Sequence, residues 1–259
     1  MTQADRLAEI LDLLQTRGGC GIGELAQRFA VSEETIRRDV RRLEKGGRVY
    51  KVHGGVRLPD NMFEAPYQFR MIENAEAKRR VAAAAVALVE DGMTVLMDSG
   101  STTYWTARAM TRPTGLTVVT NSLEVAREVL GRNNNRLFFA GGEVNVDHRA
   151  AYGAEAIAAA QSFVPDIAFL SVGAIDPQRG FLDFHVDEAG FKRALLGAAR
   201  RVVMVADASK FDRSGVVLMA RLDQAHDLVV DRPPPPAAAE ALAGAGVRVH
   251  VAGEAAPPV

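Results

Sequence analysis

Ser32-Glu-Glu-Thr-Ile-Arg-Arg-Asp-Val-Arg-Arg-Leu-Glu-Lys-Gly-Gly-Arg-Val-Tyr-Lys-Val-His-Gly-Gly55 is the stretch on which the fold turns. On a helix from Ser32 to Lys45, at about 100° per residue, Ile36, Val40 and Leu43 share one stripe. Arg37, Arg38, Arg41, Arg42 and Lys45 fall around the opposite side. A solvated charged face accounts for such a run taken alone. A phosphate backbone lying against it accounts for the run together with its flanks. Ser32 suits an N-cap, and Glu33 and Glu34 suit the positive end of the helix dipole. Upstream, Ile22 to Phe29 reads as a short amphipathic helix, with Ile22, Leu25, Ala26 and Phe29 on one face. Phe29-Ala30-Val31 then turns the chain, which is the spacing of a helix-turn-helix. Gly46-Gly47 stops the second helix, Arg48 to His53 is β-prone, and Gly54-Gly55 turns away. That segment reads as a wing, adding Arg48, Lys51 and His53 to the backbone contacts.

The rest of the composition fits this. At 259 residues, one small and one medium domain are expected. Residues 1–57 carry 11 Lys and Arg against 8 Asp and Glu, while the remainder carries 20 against 24. A basic head on an acidic body presents the head to DNA and keeps the body off it. Cys20 is the one cysteine, so no internal disulfide can form. No signal peptide and no bilayer-length apolar run is seen, so a cytoplasmic location is expected.

Arg6 to Thr16 reads as a first helix ended by Gly18-Gly19, with Cys20 in a loop. Residues 58–73 hold Pro59, Asp60, Asn61 and Pro66 without periodicity and read as a linker, whose Phe63, Tyr67 and Phe69 pack on something. A larger domain over 74–252 and a tail at 253–259 follow. Glu73 to Val89 is a helix whose Lys78-Arg79-Arg80 reads as a solvated basic face. Strands and helices then alternate. Strands are expected at 94–97, 116–120, 136–140, 167–172, 202–206, 228–230 and 247–251. Helices are expected at 102–110, 123–130, 155–163, 188–199 and 237–243. Such alternation gives a largely parallel sheet with helices on both faces, an α/β domain.

In open α/β sheets ligands bind at the carboxyl ends of the strands. After the first strand comes Asp98-Ser99-Gly100-Ser101-Thr102-Thr103, leading into a helix. Glycine admits close approach, hydroxyls donate, and the helix N-terminus is positive, so this is a phosphate cradle or, more simply, an N-cap turn. No P-loop lysine is present, which argues against a nucleoside triphosphatase. The other strand ends carry Asn121-Ser122, Gly141-Gly142, Gly173 to Asp176 and Asp207-Ala208-Ser209-Lys210. Together they suggest a site for a small polyhydroxylated anion, with Lys210 toward a phosphate and Asp98 and Asp207 toward hydroxyls.

Glu24-Leu25-Ala26, Val31-Ser32, Thr35-Ile36-Arg37-Arg38-Asp39, Leu43-Glu44 and His53-Gly54-Gly55 resemble, in order, the DeoR family of bacterial transcriptional repressors. Tyr50-Lys51 departs from the family's frequent pair of arginines; lysine keeps the charge and loses the planar fork. The resemblance implies DNA contacts from Thr35, Arg37, Arg38, Arg41, Arg42, Lys45, Lys51 and His53. It continues through Asn74 with Lys78, Asp98 to Thr103, Val119 to Ser122, Gly141-Gly142, Glu188 with Lys192, and Asp207 with Ser209-Lys210-Phe211. It thus spans about residues 5–232. It implies a sensor domain similar in fold to ribose-5-phosphate isomerase, taking a phosphorylated sugar or polyol. The implied effector residues are Asp98, Gly100, Ser101, Thr102, Thr103, Asn121, Gly141, Gly142, Glu188, Lys192, Asp207 and Lys210. Gly180 to His185 looks most like glycerol-3-phosphate repressors within the family. A homo-oligomer is expected, because one head with a handful of phosphate contacts binds weakly.

The alternative is a sugar-phosphate isomerase with a fused regulatory head, using carboxylates such as Asp98, Asp176, Glu188 and Asp207. The paired acidic segment and lysine-glycine-rich loop of those isomerases are not recognisable around Asp176 to Lys192, so no enzyme activity is expected. His148, His185, His226 and His250 lack metal-ligand spacing, and neither metal nor cofactor is expected. Of these, His185 alone is placed near the pocket. Trp105 reads as core, and Cys20 as inert.

Overall fold

A computed structural model describes residues 2–17, 19–45, 48–52, 54–57, 64 and 67–253. The chain divides into two compact units, Met1–Glu73 and Asn74–Val259.

The first unit holds α1 (Gln3–Arg17), β1 (Gly19–Gly21), α2 (Ile22–Phe29), α3 (Glu33–Lys45), β2 (Tyr50–Val52), β3 (Gly55–Arg57) and α4 (Tyr67–Ile72). The apolar stripes meet as their periodicity predicts: Ile10, Leu14, Leu25, Ile36, Val40 and Val56 are fully buried together. Ala30 closes α2 in the left-handed region, φ 51°, and the Val31 N–H returns to the Ala26 carbonyl. Ser32 then starts α3, its Oγ accepting the Thr35 N–H at 3.2 Å. The wing is a three-stranded antiparallel sheet in the order β1-β3-β2, with Val56 opposite both Cys20 and Lys51. Two expectations change. Cys20 lies in a strand and is buried, not in a loop. Part of the expected linker, Tyr67–Ile72, is helical. Gly46-Gly47, His53, residues 58–63, 65 and 66, and the tail at 254–259 lie outside the described residues.

The second unit opens with α5 (Ala75–Val86). There follow β4 (Thr94–Met97), α6 (Ser101–Ala109), β5 (Thr117–Thr120), α7 (Leu123–Val129), β6 (Arg136–Phe139), β7 (Val144–Asn145), β8 (Ala150–Ala151) and α8 (Ala154–Gln161). Next come β9 (Ile167–Ser171), β10 (Ala174–Asp176), β11 (Gly180–Asp183), α9 (Val186–Leu195), β12 (Val202–Ala206), a 3-10 helix (Ala208–Asp212), β13 (Val217–Ala220), β14 (Asp227–Val230), α10 (Pro236–Gly244) and β15 (Arg248–Val251). Seven strands form one parallel sheet in the order β15-β14-β12-β9-β4-β5-β6. Apolar clusters cover both faces, and the central β9 and β12 are buried along their whole length. The chain winds from β4 outward to β6, then returns to the other side of β4 as β9. The order therefore reverses between β4 and β9, which is where an open α/β sheet leaves its crevice. A small antiparallel sheet, β10-β11-β13, was not expected from the sequence. Among the described residues no helix is long and apolar enough to cross a membrane.

Burial, with the Glu24 carboxylate beside it, pushes the Cys20 thiol up to about 11. The thiolate is the reacting form, so iodoacetamide at mildly alkaline pH should leave native Cys20 unmodified. Alkylation should begin only with denaturant that opens the head. Rapid labelling of native protein, followed by mass spectrometry, would show that the head opens at little cost.

Candidate functional site

On the first unit, α3 carries its cations in two rows. Arg37 and Arg41, one turn apart, line a shallow hollow with Lys51 and Val52 of the wing. Arg38 and Arg42 line a second hollow with Gln3 and Arg6 of α1. The expected cationic face is thus divided, because successive positions on a helix differ by about 100°. Arg37, Arg41 and Lys51 pair with Glu33, Glu34 and Glu44 at 2.7, 3.5 and 2.6 Å. These are exposed or half-exposed pairs, the kind that contribute little and exchange readily for another anion. Arg38 and Lys45 are exposed, and Arg42 donates to Gln3 Oε1 at 2.9 Å. Asp39 faces α1. It is fully buried and accepts from Arg6 Nε at 2.6 Å and Gln3 Nε2 at 2.7 Å, tying α1 to α3.

On the second unit the expected pocket residues gather at the carboxyl ends of β4, β5, β9 and β12. They separate into two groups. The first surrounds Asp98. Its Oδ1 accepts the Gly100 N–H at 3.1 Å and the Thr103 hydroxyl, and its Oδ2 accepts the Ser171 N–H at 2.9 Å and Ser171 Oγ at 2.7 Å. Gly100 has to be glycine here, since a Cβ would lie 1.8 Å from Ser171 Oγ. Lys192, fully buried, reaches Asp98, Asp183 and Glu188 at 3.2, 2.8 and 2.7 Å and Ser171 Oγ at 3.3 Å. Burial alone would lower its pKa. The carboxylates of Asp183, Glu188 and Asp98 outweigh burial and hold Lys192 charged, well above the ordinary amine range. An ammonium has three hydrogens, so Lys192 is engaged within the fold and does not present itself to a phosphate. Asp98 and Thr103, expected as effector contacts, bond each other within the loop.

That loop leaves the N-terminus of α6 at the crevice. Ser101, Thr102 and Thr103 have no preceding helical carbonyl to bind. On the next strand, buried Asn121 donates to the Ala151 carbonyl at 2.8 Å, while its Oδ1 has no hydrogen-bond partner among the described residues. Gly141 and Gly142 follow β6, Gly142 at φ 137°.

The second group surrounds Asp207. Burial raises the pKa of this carboxyl, but Lys210, Lys78 and hydrogen bonds from Ser209 outweigh it and hold Asp207 below the ordinary carboxylate range. Lys78 is almost completely buried, so the first member of the basic trio is part of this group and not a solvated face. Lys210 is buried on the 3-10 helix. Arg79 instead stacks on Trp105 at 4.6 Å, with Arg108 against the same ring at 5.3 Å, so Trp105 is a half-buried surface ring rather than core.

Sequence reasoning missed several side chains here. His148 is buried with Nδ1 3.5 Å from Glu188 Oε2, and its ring meets His185 edge-on at 4.2 Å, so His185 is not alone near the pocket. Tyr152 bonds Ser99 Oγ at 2.8 Å. Asp183 and Ser171 complete the Lys192 cluster. No local pattern marks any of these, because each meets its partners across strands.

The family description "DeoR-like helix-turn-helix domain" matches residues 6–62, and "DeoR C terminal sensor domain" matches 73–232. The chain belongs to the DeoR family of transcriptional repressors. The glycerol-3-phosphate regulon repressor of Escherichia coli K12 is 31% identical over 91% of this chain and 93% of its own length. The HTH-type transcriptional regulator GlpR of Haloferax volcanii is 32% identical over 96% of this chain and 98% of its own. Among solved structures, ribose 5-phosphate isomerase A of Methanocaldococcus jannaschii aligns with a TM-score of 0.39 at 19% identity, covering 53% of this chain and 55% of its own. As a DeoR-family member the chain is a DNA-binding regulator with a sensor domain.

The Lys192 cluster yields a stability prediction. Lys192→Met leaves three buried carboxylates facing one another and should destabilise the sensor by about 3–5 kcal/mol. Like charges raise carboxylate pKa values, so the deficit should shrink as pH falls. Urea denaturation followed by Trp105, the single tryptophan, measures both. A variant as stable as the parent at neutral pH would show that the cluster is not electrostatically tight.

Proposed function

We propose that this chain represses a carbohydrate or polyol catabolic operon in the cytoplasm, as a homo-oligomer, and leaves its operator when a phosphorylated sugar or polyol binds the sensor. Glycerol 3-phosphate is the first candidate. What supports the reading is the burial of Lys78 and Lys210, whose charges both act on buried Asp207 just after β12, one strand from the reversal between β4 and β9. Buried cations and a helix N-terminus each suit a phosphate. Asp98 and Asp207 end strands two places apart in the sheet, so about 10 Å separates them, the span of a compact phosphorylated molecule. Asn121 Oδ1, which has no hydrogen-bond partner among the described residues, suits a ligand hydroxyl. Gly100, Ser101, Thr102, Gly141, Gly142 and Lys210 remain the proposed contacts, with Lys78 added. Asp98, Thr103, Glu188 and Lys192 support them from behind.

The sensor is read as non-catalytic. An isomerase needs a carboxylate able to take and return a proton, whereas Asp98 and Glu188 are held by the Lys192 ammonium. Pure protein should form no ketose from ribose 5-phosphate; turnover on the scale of seconds would restore the isomerase.

On the head, Thr35, Arg37, Arg38, Arg41, Arg42, Lys45 and Lys51 are the proposed DNA contacts. Arg41→Ala should weaken binding to operator and random duplex alike, and lower the slope of log affinity against log salt by about 1. Anisotropy of a labelled duplex from the region beside the gene measures this, and unchanged affinity removes Arg41 from the interface.

Lys210→Ala should bind operator as the parent does and fail to release with glycerol 3-phosphate or other phosphorylated polyols. Release at the parent's ligand concentration rules Lys210 out as the phosphate partner.

A further inference from the structure

Asn74 is the first residue of the second unit, and Glu73, the last of the first, is its covalent neighbour. It opens α5 in the left-handed region, φ 51°, without capping the helix with its side chain. That side chain reaches across 133 residues. Its Nδ2 donates to Asp207 Oδ1 at 3.0 Å and to Ser209 Oγ at 3.3 Å. One turn on, the Lys78 N–H bonds the Asn74 carbonyl at 3.0 Å, and the Lys78 ammonium acts on the same Asp207. Two turns on, Arg80 donates to Asp231 Oδ2 at 3.1 Å, whose Oδ1 accepts the Ala208 N–H at 2.7 Å. The loop from Asp207 to Lys210 is therefore held to α5 at both ends of the helix's first two turns. Ser209 also donates both its N–H and its hydroxyl to Asp207 Oδ1.

We propose that the Asn74 side chain couples the anion-binding loop to the DNA-binding unit, as the latch through which ligand occupancy reaches the start of α5. The proposal rests on the effector reading above and names its regulation. A phosphate group carries ≈ −1.5 to −2 charge near neutral pH and only accepts hydrogen bonds from the loop. Placed at Ser209 and Lys210, it competes with Asp207 for the hydroxyl and for both ammonium groups. Asp207 Oδ1, now facing a second anion, moves away from Ser209 and so from the Asn74 amide that bonds both residues. The Asn74 contact therefore changes. Because Asn74 is continuous with the chain of the first unit, the change displaces the point where that unit is attached. A ligand shifts such an equilibrium only through contacts that differ between the two states, and this contact is one that must differ.

Asn74→Gly is the informative variant, since glycine adopts positive φ freely and deletes only the amide. Asn74→Asp keeps the shape and sets a carboxylate against Asp207. Full-length protein is titrated with glycerol 3-phosphate and with inorganic phosphate, reading probe binding by calorimetry and operator binding by anisotropy. Amide hydrogen exchange over residues 207–212 is read without any probe. For Asn74→Gly, operator affinity without probe and probe affinity should match the parent. The ratio of operator affinities without and with probe should fall by about tenfold or more toward unity. Exchange over 207–212 should quicken in both variants. Parent-like release together with parent-like exchange overturns the latch. If the parent itself binds operator and no probe releases it, the effector reading fails; exchange then decides the latch alone, with quickened loop amides supporting it and unchanged amides overturning it.

Discussion

Lys192 holds three carboxylates that would otherwise repel one another at the one place where the sheet reverses its order. Asp98 ends β4, Asp183 ends β11, and Glu188 lies one turn earlier on α9. With Ser171 at the end of β9, four separately folded segments meet on a single ammonium. Buried ion clusters add little net stability compared with apolar packing, but breaking one is severe. Here the cluster fixes position. Asp98, anchored by Lys192, orients the Gly100 N–H and the Thr103 hydroxyl, and so aims the start of α6 into the crevice.

The two units place different cations differently. The head relies on arginine, whose planar fork suits an extended row of phosphodiesters and stays charged at any pH. The sensor relies on lysine, a compact charge that can be enclosed; Lys78, Lys192 and Lys210 are all buried. Three sensor arginines lie at the surface, Arg79 and Arg108 against Trp105 and Arg80 against Asp231. The division leaves exchangeable charge on the surface of the head and enclosed charge inside the sensor.

Much of this was legible in the residues. Ile22–Phe29 and Val202–Ala206 fold with the bounds expected, because an amphipathic period in one and an unbroken apolar run in the other leave no competing reading. The strand ends carrying Gly100, Asn121 and Asp207 lie where the sequence put them, just after β4, β5 and β12. What was not legible is non-local. Three-residue strands such as β1 and β10 carry too little pattern to stand apart from loops, which misplaced Cys20. In alanine-rich α5 the apolar stripe is faint, so nothing told that Lys78 points inward while Arg79 points outward. Asp98 and Lys192 look like ligand contacts because the residue types suit a ligand. Only the geometry shows that each is already occupied by the other.

The glutamates on the head's own surface give it a further property. Glu33, Glu34 and Glu44 hold Arg37, Arg41 and Lys51 in the absence of DNA. They are tethered anions lying where the proposed phosphate contacts would be made. A duplex engaging only one or two of these cations exchanges one weak pairing for another and gains almost nothing. The same three cations are thus already neutralised on the free head, so its surface carries less net positive charge than the count of arginines and lysines alone implies.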